Sequence, residues 1–490
     1  MPRPHANRAD ANGNRRRRTG GESRQGHRAS AMLRAAANEK IMDFALNFLA
    51  VEVSLHKISG TRKIQSKFYL RSLALSLHKI SGTRKIQSKL YLRSLALSLH
   101  KISGTRAIVG KLTCRFLAAS LHRQTGSGGT GRRASRHGMA AKGPLNTQLM
   151  VSFENDYNNG AHPKVLQRLV ETNEERTLPY GADQFCESAK AKIMAACDDE
   201  DAVIFFLTGG TQTNATVIDS LLRQYEGVVA ADSGHINVHE AGAIEFTGHK
   251  VITLPGHGGK MRAEDLDKHL EDFNNDENNA HSVFPGLVYI TFPTELGTLY
   301  SAAELDAIYR ICRRNNIPLY VDGARLGYGL AADGNDITLP YLARHCDAFY
   351  IGGTKAGALC GEAVVFTHRN APRNFFTIQK QHGALMAKAR LLGAQFDALF
   401  TDGLYLDISR HAIDMAKRMR MMFEKKGYRL WIDSPTNQQF VIIGNDDVER
   451  LSRNVLFTHW GKAGENHTVC RFVTSWATTE AELEQLQSLL

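Results

Sequence analysis

The sequence of 490 residues lacks the features that would mark an extracellular or membrane-spanning protein. Its 7 cysteines are scattered and form no C-x-x-C pair, which favours reduced, buried thiols over a disulfide framework. No apolar run approaches the roughly 20 residues that cross a bilayer. The first residues contain no apolar core of a secretory signal. We therefore expect a cytoplasmic protein without a membrane partner.

An acidic excess is lacking as well, because 61 lysines and arginines face 49 aspartates and glutamates, a net charge of +12. Such a balance would suggest an anionic partner. However, residues 1–149 hold 29 basic and 5 acidic residues, whereas residues 150–490 hold 32 basic and 44 acidic residues. The basic character thus belongs to the first third of the chain and carries no information about the rest.

A repeat of 22 residues occupies positions 54–125 of this basic third. It begins at Ser54, recurs nearly unchanged at Ser76 and degrades from Ser98. Two almost identical copies suggest a recent tandem duplication rather than a solenoid, which needs several diverged units and caps. The flanking segments are rich in Arg, Gly and Ser, a composition typical of disorder. We expect residues 1–149 to be largely disordered or to form helical repeats.

Three interpretations of residues 1–149 remain open. They could form a basic arm that binds nucleic acid, with Arg15–Arg18 as a nuclear signal. They could instead be an Arg-rich targeting peptide, or an over-long gene model preceding a true start at Met139 or Met150. We favour the third interpretation. No aromatic residues are interleaved to stack on bases, which weakens the case for nucleic acid.

From Met150 onward, apolar strands alternate with amphipathic helices. Strand-like segments occupy 202–207 and 286–292, and further ones end at Asp322 and just before Lys355. This alternation predicts an α/β fold with a mostly parallel sheet wrapped by helices. Ligands of such sheets bind beyond the carboxyl ends of the strands. We therefore expect the side chains that follow these strands to converge on one edge.

The segment TGGTQTN, which contains Gly210 and Thr211, follows a strand and precedes a helix. Free backbone N–H groups at a helix start suit a phosphate group. The segment matches neither G-x-x-x-x-G-K-[ST] nor G-x-G-x-x-G, which disfavours a nucleoside triphosphate or a dinucleotide. Taken alone, it is more often an ordinary turn between a strand and a helix.

Three titratable side chains are ambiguous when each is taken singly. Asp322 ends a buried strand and needs a cation, which could be a protonated pyridine nitrogen or Arg325. Lys355 lies among small residues in a turn, where a dry site beside cations would give a neutral, nucleophilic amine. His235 could be structural, or it could stack on a planar cofactor and move protons.

The order of these features is more specific than any of them alone. A phosphate turn, a histidine, a strand with Asp322 and a strand with Lys355 follow one another in the order of the aspartate-aminotransferase type of pyridoxal phosphate enzymes. We further expect the glycines beside Lys355, Gly352 and Gly353 among them, to leave room for a planar cofactor.

Residues 150–490 resemble the L-threonine aldolases of the β-eliminating lyase group. The resemblance is carried by segments such as PYGAD, TGGTQTNA, GHINVHEAGA, VDGARLGYGL and GGTKAGALCGEAVV. It implies a fold type I, transferase-like sheet of seven strands in a large domain, residues 150–375, and a small α+β domain, residues 376–490. It also implies pyridoxal 5′-phosphate as cofactor, no metal, an amino-acid substrate and a homodimer or homotetramer.

The same resemblance implies a role for each site residue. The catalytic residues would be Lys355, which binds the cofactor as a Schiff base, Asp322 and His235. Arg471 would bind the substrate carboxylate, where a bidentate contact favours arginine over lysine. The cofactor would be held by Gly210, Thr211, His235, Asp322, Arg325, Thr354 and Lys355.

The implied reaction is the cleavage of L-threonine or L-allo-threonine to glycine and acetaldehyde. Some family members carry a second histidine after the third strand, whereas this chain has Glu295 in FPTELGTLYS. The group that accepts the hydroxyl proton is therefore open, and the candidates are His235, Glu295 and a held water. Glu295 would also contact the substrate. β-Elimination and transamination remain alternatives, since they would use the same cofactor residues.

Overall fold

A computed structural model describes residues 150–490, and the predictions for residues 1–149 lie outside the described residues. The strands of the described part are β1 Val151–Ser152, β2 Val203–Leu207, β3 Glu226–Ala231, β4 Val251–Leu254, β5 Phe284–Thr291, β6 Leu319–Asp322, β7 Ala348–Gly352, β8 Glu362–Phe366, β9 Arg429–Leu430, β10 Gln438–Gly444, β11 Val455–Leu456, β12 Thr458–Lys462 and β13 His467–Val473.

Helices separate most of these strands. In chain order they are α1 Pro163–Glu171, α2 Gln184–Cys197, α3 Gly210–Leu221, α4 His235–Val238, α5 Ala243–Phe246, α6 Ala263–Asn275, α7 Ala302–Arg314, α8 Leu326–Ala331, α9 Leu339–Arg344, α10 Phe375–Gln381, α11 Arg390–Leu399, α12 Leu404–Lys425, α13 Asn445–Leu451 and α14 Glu480–Leu489, with a 3₁₀ turn at Asn279–His281.

The main sheet has seven strands in the order β2-β8-β7-β6-β5-β3-β4. The five strands from β7 to β4 are parallel to their neighbours. Strand β8 is antiparallel to both β7 and β2, so β2 has the same direction as the parallel set. Because six strands share a direction, their carboxyl ends meet at one edge.

Side chains of this sheet are buried on both faces. In β3, Val229 and Ala231 belong to one apolar cluster, whereas Val228 and Ala230 belong to a second. Alternate residues of a strand point to opposite faces, so this division shows apolar layers on both sides of the sheet. Burial on both faces explains why the strands are continuous apolar runs rather than alternating ones.

A second sheet, in the order β12-β13-β10-β9, is antiparallel. Its apolar residues pack with α12, through side chains such as Met419 and Phe423, and with α14, through Leu483 and Leu486. Strand β1 at the start of the described part pairs with β11. This sheet and its helices form a small α+β layer.

The predicted fold class, with a mostly parallel sheet of seven strands, is confirmed. Helix α7 begins with a capping box, since Ser301 and Glu304 exchange hydrogen bonds with each other's backbone. The domain boundary near residue 375 stays a prediction. Helix α11, beyond it, packs mainly on α2 and α1.

Two further expectations concern the environment of the chain. The cysteines at positions 186, 197, 312, 346, 360 and 470 are free thiols. Within residues 150–490, no helix is both long and apolar enough to span a bilayer. The cytoplasmic location stays a prediction.

Candidate active site

The carboxyl edge of the main sheet brings together most of the residues that the sequence singled out, whereas Arg471 lies in the second sheet. Strand β2 ends just before Gly210, β3 before His235, and β5 before Glu295, while β6 ends at Asp322 and β7 before Lys355. The reversed strand β8 begins at the same edge with Glu362, which is paired in register with the last residues of β2 and β7. The predicted convergence on one edge is found.

Lys355 lies in the turn between β7 and β8. Its carbonyl accepts a hydrogen bond from the Tyr328 hydroxyl at 2.6 Å. Burial lowers the pKa of the Lys355 amine, and the charge of Arg325 lowers it further, against the opposing effect of Asp156, Asp322 and Glu362. A lysine with a lowered pKa has a larger neutral fraction and is a better nucleophile.

The glycines before Lys355 have a packing role. A Cβ at Gly352 would lie 2.2 Å from the carbonyl oxygen of Ala324, and one at Gly353 would lie 2.7 Å from that of Gly361. Backbone atoms cannot yield as a flexible side chain can. Close backbone approach therefore accounts for these two glycines, and the room that they would leave for a planar cofactor stays a prediction.

Asp322 is buried with 4% of its surface exposed. Its Oδ2 accepts hydrogen bonds from Asn214 Nδ2 at 2.9 Å and from the Tyr289 hydroxyl at 2.7 Å, and its Oδ1 accepts one from Ala324 N at 2.9 Å. Burial alone would raise the pKa of Asp322, but the charge of His235 and hydrogen bonds outweigh it, so the pKa is lowered. The carboxylate is thus held ionised.

Asn214 connects Asp322 to residues 234–243, the histidine segment, which contains His235 and His239. Its amide donates a second hydrogen bond, of 2.7 Å, to Glu240 Oε1, which lies 2.7 Å from Nδ1 of His235. A carboxylate oxygen accepts hydrogen bonds, so Nδ1 of His235 is the donor in this contact. The His235 side chain is 35% exposed, whereas that of Glu240 is fully buried.

Arg325 pairs with a residue that the sequence reasoning missed. Its Nε and Nη2 donate to the two carboxylate oxygens of Asp156 at 2.7 and 3.0 Å. Asn437 donates a further hydrogen bond of 2.9 Å to Asp156. Arg325 is therefore not the partner of Asp322, the alternative left open by the sequence. Asp156 is part of the NDYNNG segment, and its spacing from Arg325 gave no signal of the contact.

Helix α3 begins at Gly210 without a side-chain cap. The N-cap is Gly209, and the nearby Thr208 hydroxyl donates instead to Gln212 Oε1 at 2.5 Å. The exposed Thr211 lies in the first turn. An uncapped helix start presents backbone N–H groups and the positive end of the helix dipole, which together suit a phosphate.

Thr354 contacts a buried carboxylate. Its hydroxyl donates to Glu362 Oε1 at 2.8 Å, and Gly353 N donates to Oε2 at 3.0 Å. Burial raises the pKa of Glu362 to about 7, although Thr354 and Lys355 oppose the shift. A hydroxyl has one proton, so Thr354 could donate to a phosphate only by leaving Glu362. Its predicted contact with the cofactor stays a prediction.

Glu295 lies beside the histidine segment. Its Oε1 accepts a hydrogen bond of 2.7 Å from the backbone N–H of His235, and its Oε2 accepts one of 3.1 Å from Thr291. Burial raises the pKa of Glu295 to about 7, helped by the charge of Asp322 and opposed by His235. A carboxyl group with this pKa can exchange a proton near neutral pH.

Arg471, on β13, has neutral partners. Its Nη1 donates to Gln438 Oε1 at 3.2 Å, and its Nη2 donates to Thr458 Oγ1 at 3.3 Å and to the Glu154 carbonyl at 3.5 Å. Its buried Nε has no hydrogen-bond partner among residues 150–490. Burial lowers the pKa of Arg471 to about 10, and the charge of Arg325 adds to the shift.

The arrangement thus combines a lysine of lowered pKa, an ionised buried aspartate, an uncapped helix start and an arginine without a carboxylate partner. No group of three metal-ligating side chains occurs in the described part of the chain. Residues 163–468 match the family model of the beta-eliminating lyases. The chain belongs to this family. The resemblance of residues 150–490 to the threonine aldolases is also confirmed by the relatives that follow.

Two relatives of this lyase are named as threonine aldolases. The chain is 29% identical over 345 residues to a low-specificity L-threonine aldolase of a Pseudomonas species. The aligned residues make up 69% of this chain and 97% of that relative. It is 40% identical to a threonine aldolase of Leishmania major, whose structure covers 69% of this chain and 98% of that one with a TM-score of 0.67.

A structure of lower sequence identity is similar to this lyase in its fold only. An aspartate aminotransferase of Thermus thermophilus is 12% identical, covers 70% of this chain and 91% of that one, and has a TM-score of 0.53. The beta-eliminating lyases and the aminotransferases of this fold are families that depend on pyridoxal phosphate.

The residues of this lyase fit such a cofactor. The uncapped start of α3 suits its phosphate, and the ionised Asp322 suits a protonated pyridine nitrogen. The amine of Lys355 has the lowered pKa that Schiff-base formation requires. In addition, Oε2 of Glu240 is buried without a hydrogen-bond partner among the described residues, which leaves an acceptor beside the His235 ring.

Proposed function

We propose that the protein is a pyridoxal 5′-phosphate-dependent aldolase that cleaves L-threonine, L-allo-threonine and related β-hydroxy-α-amino acids to glycine and an aldehyde. The observation that supports this most strongly is the placement of Lys355 and the ionised Asp322 at the ends of neighbouring strands. When bound, pyridoxal phosphate supplies a pyridinium ring that accepts the electron pair left at the substrate α-carbon.

The chain provides a residue for each part of the cofactor. The Lys355 amine would hold its aldehyde carbon, and the Asp322 carboxylate would keep its ring nitrogen protonated. The backbone N–H groups of Gly210 and Thr211 would hold the phosphate. The His235 ring would lie against the cofactor ring, with its orientation fixed by Glu240.

The substrate would be bound by its carboxylate. Arg471 has no carboxylate within salt-bridge distance among residues 150–490, so its charge is available to an amino acid. Guanidinium and carboxylate groups form paired hydrogen bonds, which fix orientation as well as position. Orientation decides the reaction, because it would select which bond at the substrate α-carbon is broken.

The proton of the substrate β-hydroxyl must be accepted as the Cα–Cβ bond breaks. Glu295, His235 and a held water are the candidate acceptors. Glu295 is buried and has a pKa near neutrality, whereas His235 is partly exposed and is held by Glu240. The proton is then returned to the α-carbon, which completes glycine, while the β-carbon leaves as the aldehyde.

The products test this proposal. Purified residues 150–490, supplied with pyridoxal phosphate and L-threonine, should release glycine and acetaldehyde in equal amounts. The family model describes beta-eliminating lyases, so β-elimination is the second candidate, with transamination as a further alternative. Release of an oxo acid with ammonia, or transfer of the amino group to an oxo acid, would replace the aldolase proposal.

We also propose that the protein is a homodimer or homotetramer, as implied by the resemblance to the threonine aldolases. Large apolar side chains such as Phe246, which is 93% exposed, and Val170, which is 68% exposed, are available for contacts between copies. Light scattering after size-exclusion chromatography measures the mass directly. A monomer at micromolar concentration would contradict this part of the proposal.

A further inference from the structure

The guanidinium group of Arg471 lies over an aromatic ring. Its central carbon is 5.0 Å from the centre of the Trp460 ring. A cation at this distance is attracted by the negative face of an indole ring, and burial strengthens the attraction. The hydrogen bonds of Arg471 are long and its partners are neutral. The face of the Trp460 ring is therefore a substantial part of the surroundings of the guanidinium group.

A β-bulge lies at Trp460. In the pairing of β12 with β13, Thr458 is opposite Arg471 and His459 is opposite Cys470, but the next pair is Gly461 with Val469. Trp460 is thus an extra residue without a partner across the strand. Such bulges redirect a side chain, and they are frequent beside active sites.

Other rings hold the Trp460 side chain in place. Phe440 on β10 packs edge-on against it, with ring centres 5.2 Å apart. His239, from the large sheet's histidine segment, lies 6.0 Å away and is itself 5.4 Å from the His235 ring. A row of three rings therefore extends from the predicted cofactor histidine to the predicted substrate arginine.

We infer that Trp460 is a positioning residue, which holds the Arg471 guanidinium in place for the carboxylate of the substrate; this inference rests on the proposed function. Arg471 needs such support because the described residues offer it no carboxylate within salt-bridge distance, and Arg325 repels it, against the more distant attraction of Asp156 and Glu154. A tryptophan face stabilises the charge without occupying the hydrogen-bond donors that a carboxylate would need.

The inference predicts a specific change in kinetics. Trp460→Leu should raise KM for L-threonine about 10-fold and leave kcat nearly unchanged, since the lost contact affects binding rather than chemistry. Trp460→Phe, which keeps an aromatic face, should recover most of the loss. An unchanged KM in the leucine variant, or an equal loss in both variants, would overturn the inference.

Trp431 offers a matched control. It also packs against Phe440, with ring centres 6.0 Å apart, and is 42% exposed, but the cation–π contact of Arg471 is with Trp460 and not with Trp431. Trp431→Leu removes the same volume from the same aromatic neighbour. We expect its KM to equal that of the unsubstituted protein; a rise equal to that of Trp460→Leu would assign the effect to general packing and overturn the inference.

A pair of ligands separates carboxylate binding from the rest of the site. The acid 3-hydroxybutyrate has the carboxylate of threonine without its amine, and 3-aminobutan-2-ol has the amine and hydroxyl without the carboxylate. In Trp460→Leu the dissociation constant of the acid, measured by calorimetry, should rise about 10-fold, whereas that of the amine should not change. Equal changes for both ligands would contradict the inference.

These measurements keep the two proposals distinguishable. If the unsubstituted protein releases no glycine from threonine, the proposed function fails, whatever the Trp460 variants do. Calorimetry with 3-hydroxybutyrate still reports on Arg471 in that case, because it requires no turnover. If threonine is cleaved but Trp460→Leu binds the acid normally, only the role of Trp460 fails.

Discussion

Arg325 and Asp156 form a buried, bidentate ion pair beside Lys355, with N–O distances of 2.7 and 3.0 Å. The pair determines three properties of the site. It neutralises the charge of Arg325 in a place where solvent cannot, and it leaves Asp322 free of an arginine partner. It also surrounds the Lys355 amine with one cation and one anion, whose effects on its pKa oppose each other.

Asp156→Asn should destabilise the protein by about 3–5 kcal/mol, because it leaves a buried guanidinium without its counter-charge. The free energy of unfolding, measured with urea on cofactor-free protein, checks this. Asp201→Asn is the control, since it breaks the pair of Asp201 with Arg369, whose side chains are 53% and 77% exposed. That loss should stay below about 1 kcal/mol. Equal losses in both variants would contradict the conclusion that Asp156 and Arg325 form a stabilising buried ion pair.

Lys355→Ala should abolish the visible absorbance of the lysine-bound cofactor and the aldolase activity together, because no other amine replaces the lost nucleophile. Absorbance spectra after removal of free cofactor measure the first effect. Lys268→Ala is the control, since Lys268 is 75% exposed and paired only with Asp272. A Lys355→Ala protein that kept the absorbance and the full activity would remove Lys355 from the role proposed for it.

Glu295→Gln should change the pH profile of kcat/KM. If Glu295 accepts the hydroxyl proton, it must be ionised, so activity should rise with pH through about 7. The glutamine variant should be slower and should lose this rise. Glu449→Gln, at a side chain 78% exposed, should leave the profile unchanged. A Glu295→Gln protein that kept the rise would assign the proton to His235 or to water.

The same carboxyl group predicts a dependence of stability on pH. Its pKa is raised in the folded state, from 4.5 to about 7, so folding favours the protonated form. Its contribution is fully present below pH 4.5 and is lost as pH rises through 7. Relative to Glu295→Gln, the unfolding free energy should fall over this interval by up to about 3 kcal/mol. A constant difference would show that the pKa is not raised.

Thr354→Val tests which group accepts the hydrogen bond of the threonine hydroxyl. If the acceptor is Glu362, as the 2.8 Å contact indicates, binding of pyridoxal phosphate and of pyridoxal should weaken by the same factor. If the acceptor is the phosphate, only the phosphorylated cofactor should bind less tightly. Thr354→Ser keeps the hydroxyl and is the control. Dissociation constants of both cofactors, from absorbance titrations, separate the outcomes.

Several features of the site could be predicted because they are local in sequence. The strand before Lys355 and the helix start at Gly210 are each encoded by a few adjacent residues. Their shared edge followed from the rule that ligands bind beyond the carboxyl ends of parallel strands. The order of the motifs, rather than any single one, indicated the family.

Contacts between distant segments could not be predicted in this way. Asp156 and Arg325 are 169 positions apart, and Asn214 and Asp322 are 108 apart. Glu362 was visible in the motif that contains Lys355, but its two hydrogen bonds depend on the reversed direction of β8. Trp460 gave no signal, since a bulge is set by the pairing of two strands.

The sequence by itself determined the elements and the chemical groups at their ends: a lysine, an aspartate, a histidine, an arginine and a glycine turn. Hydrophobic periodicity and turn residues act over short distances, so they can be read directly. Only the tertiary structure decided which charges are paired, which proton donors are occupied and which pKa values are shifted. Those properties depend on burial and on distances across the sheet, which no single segment contains.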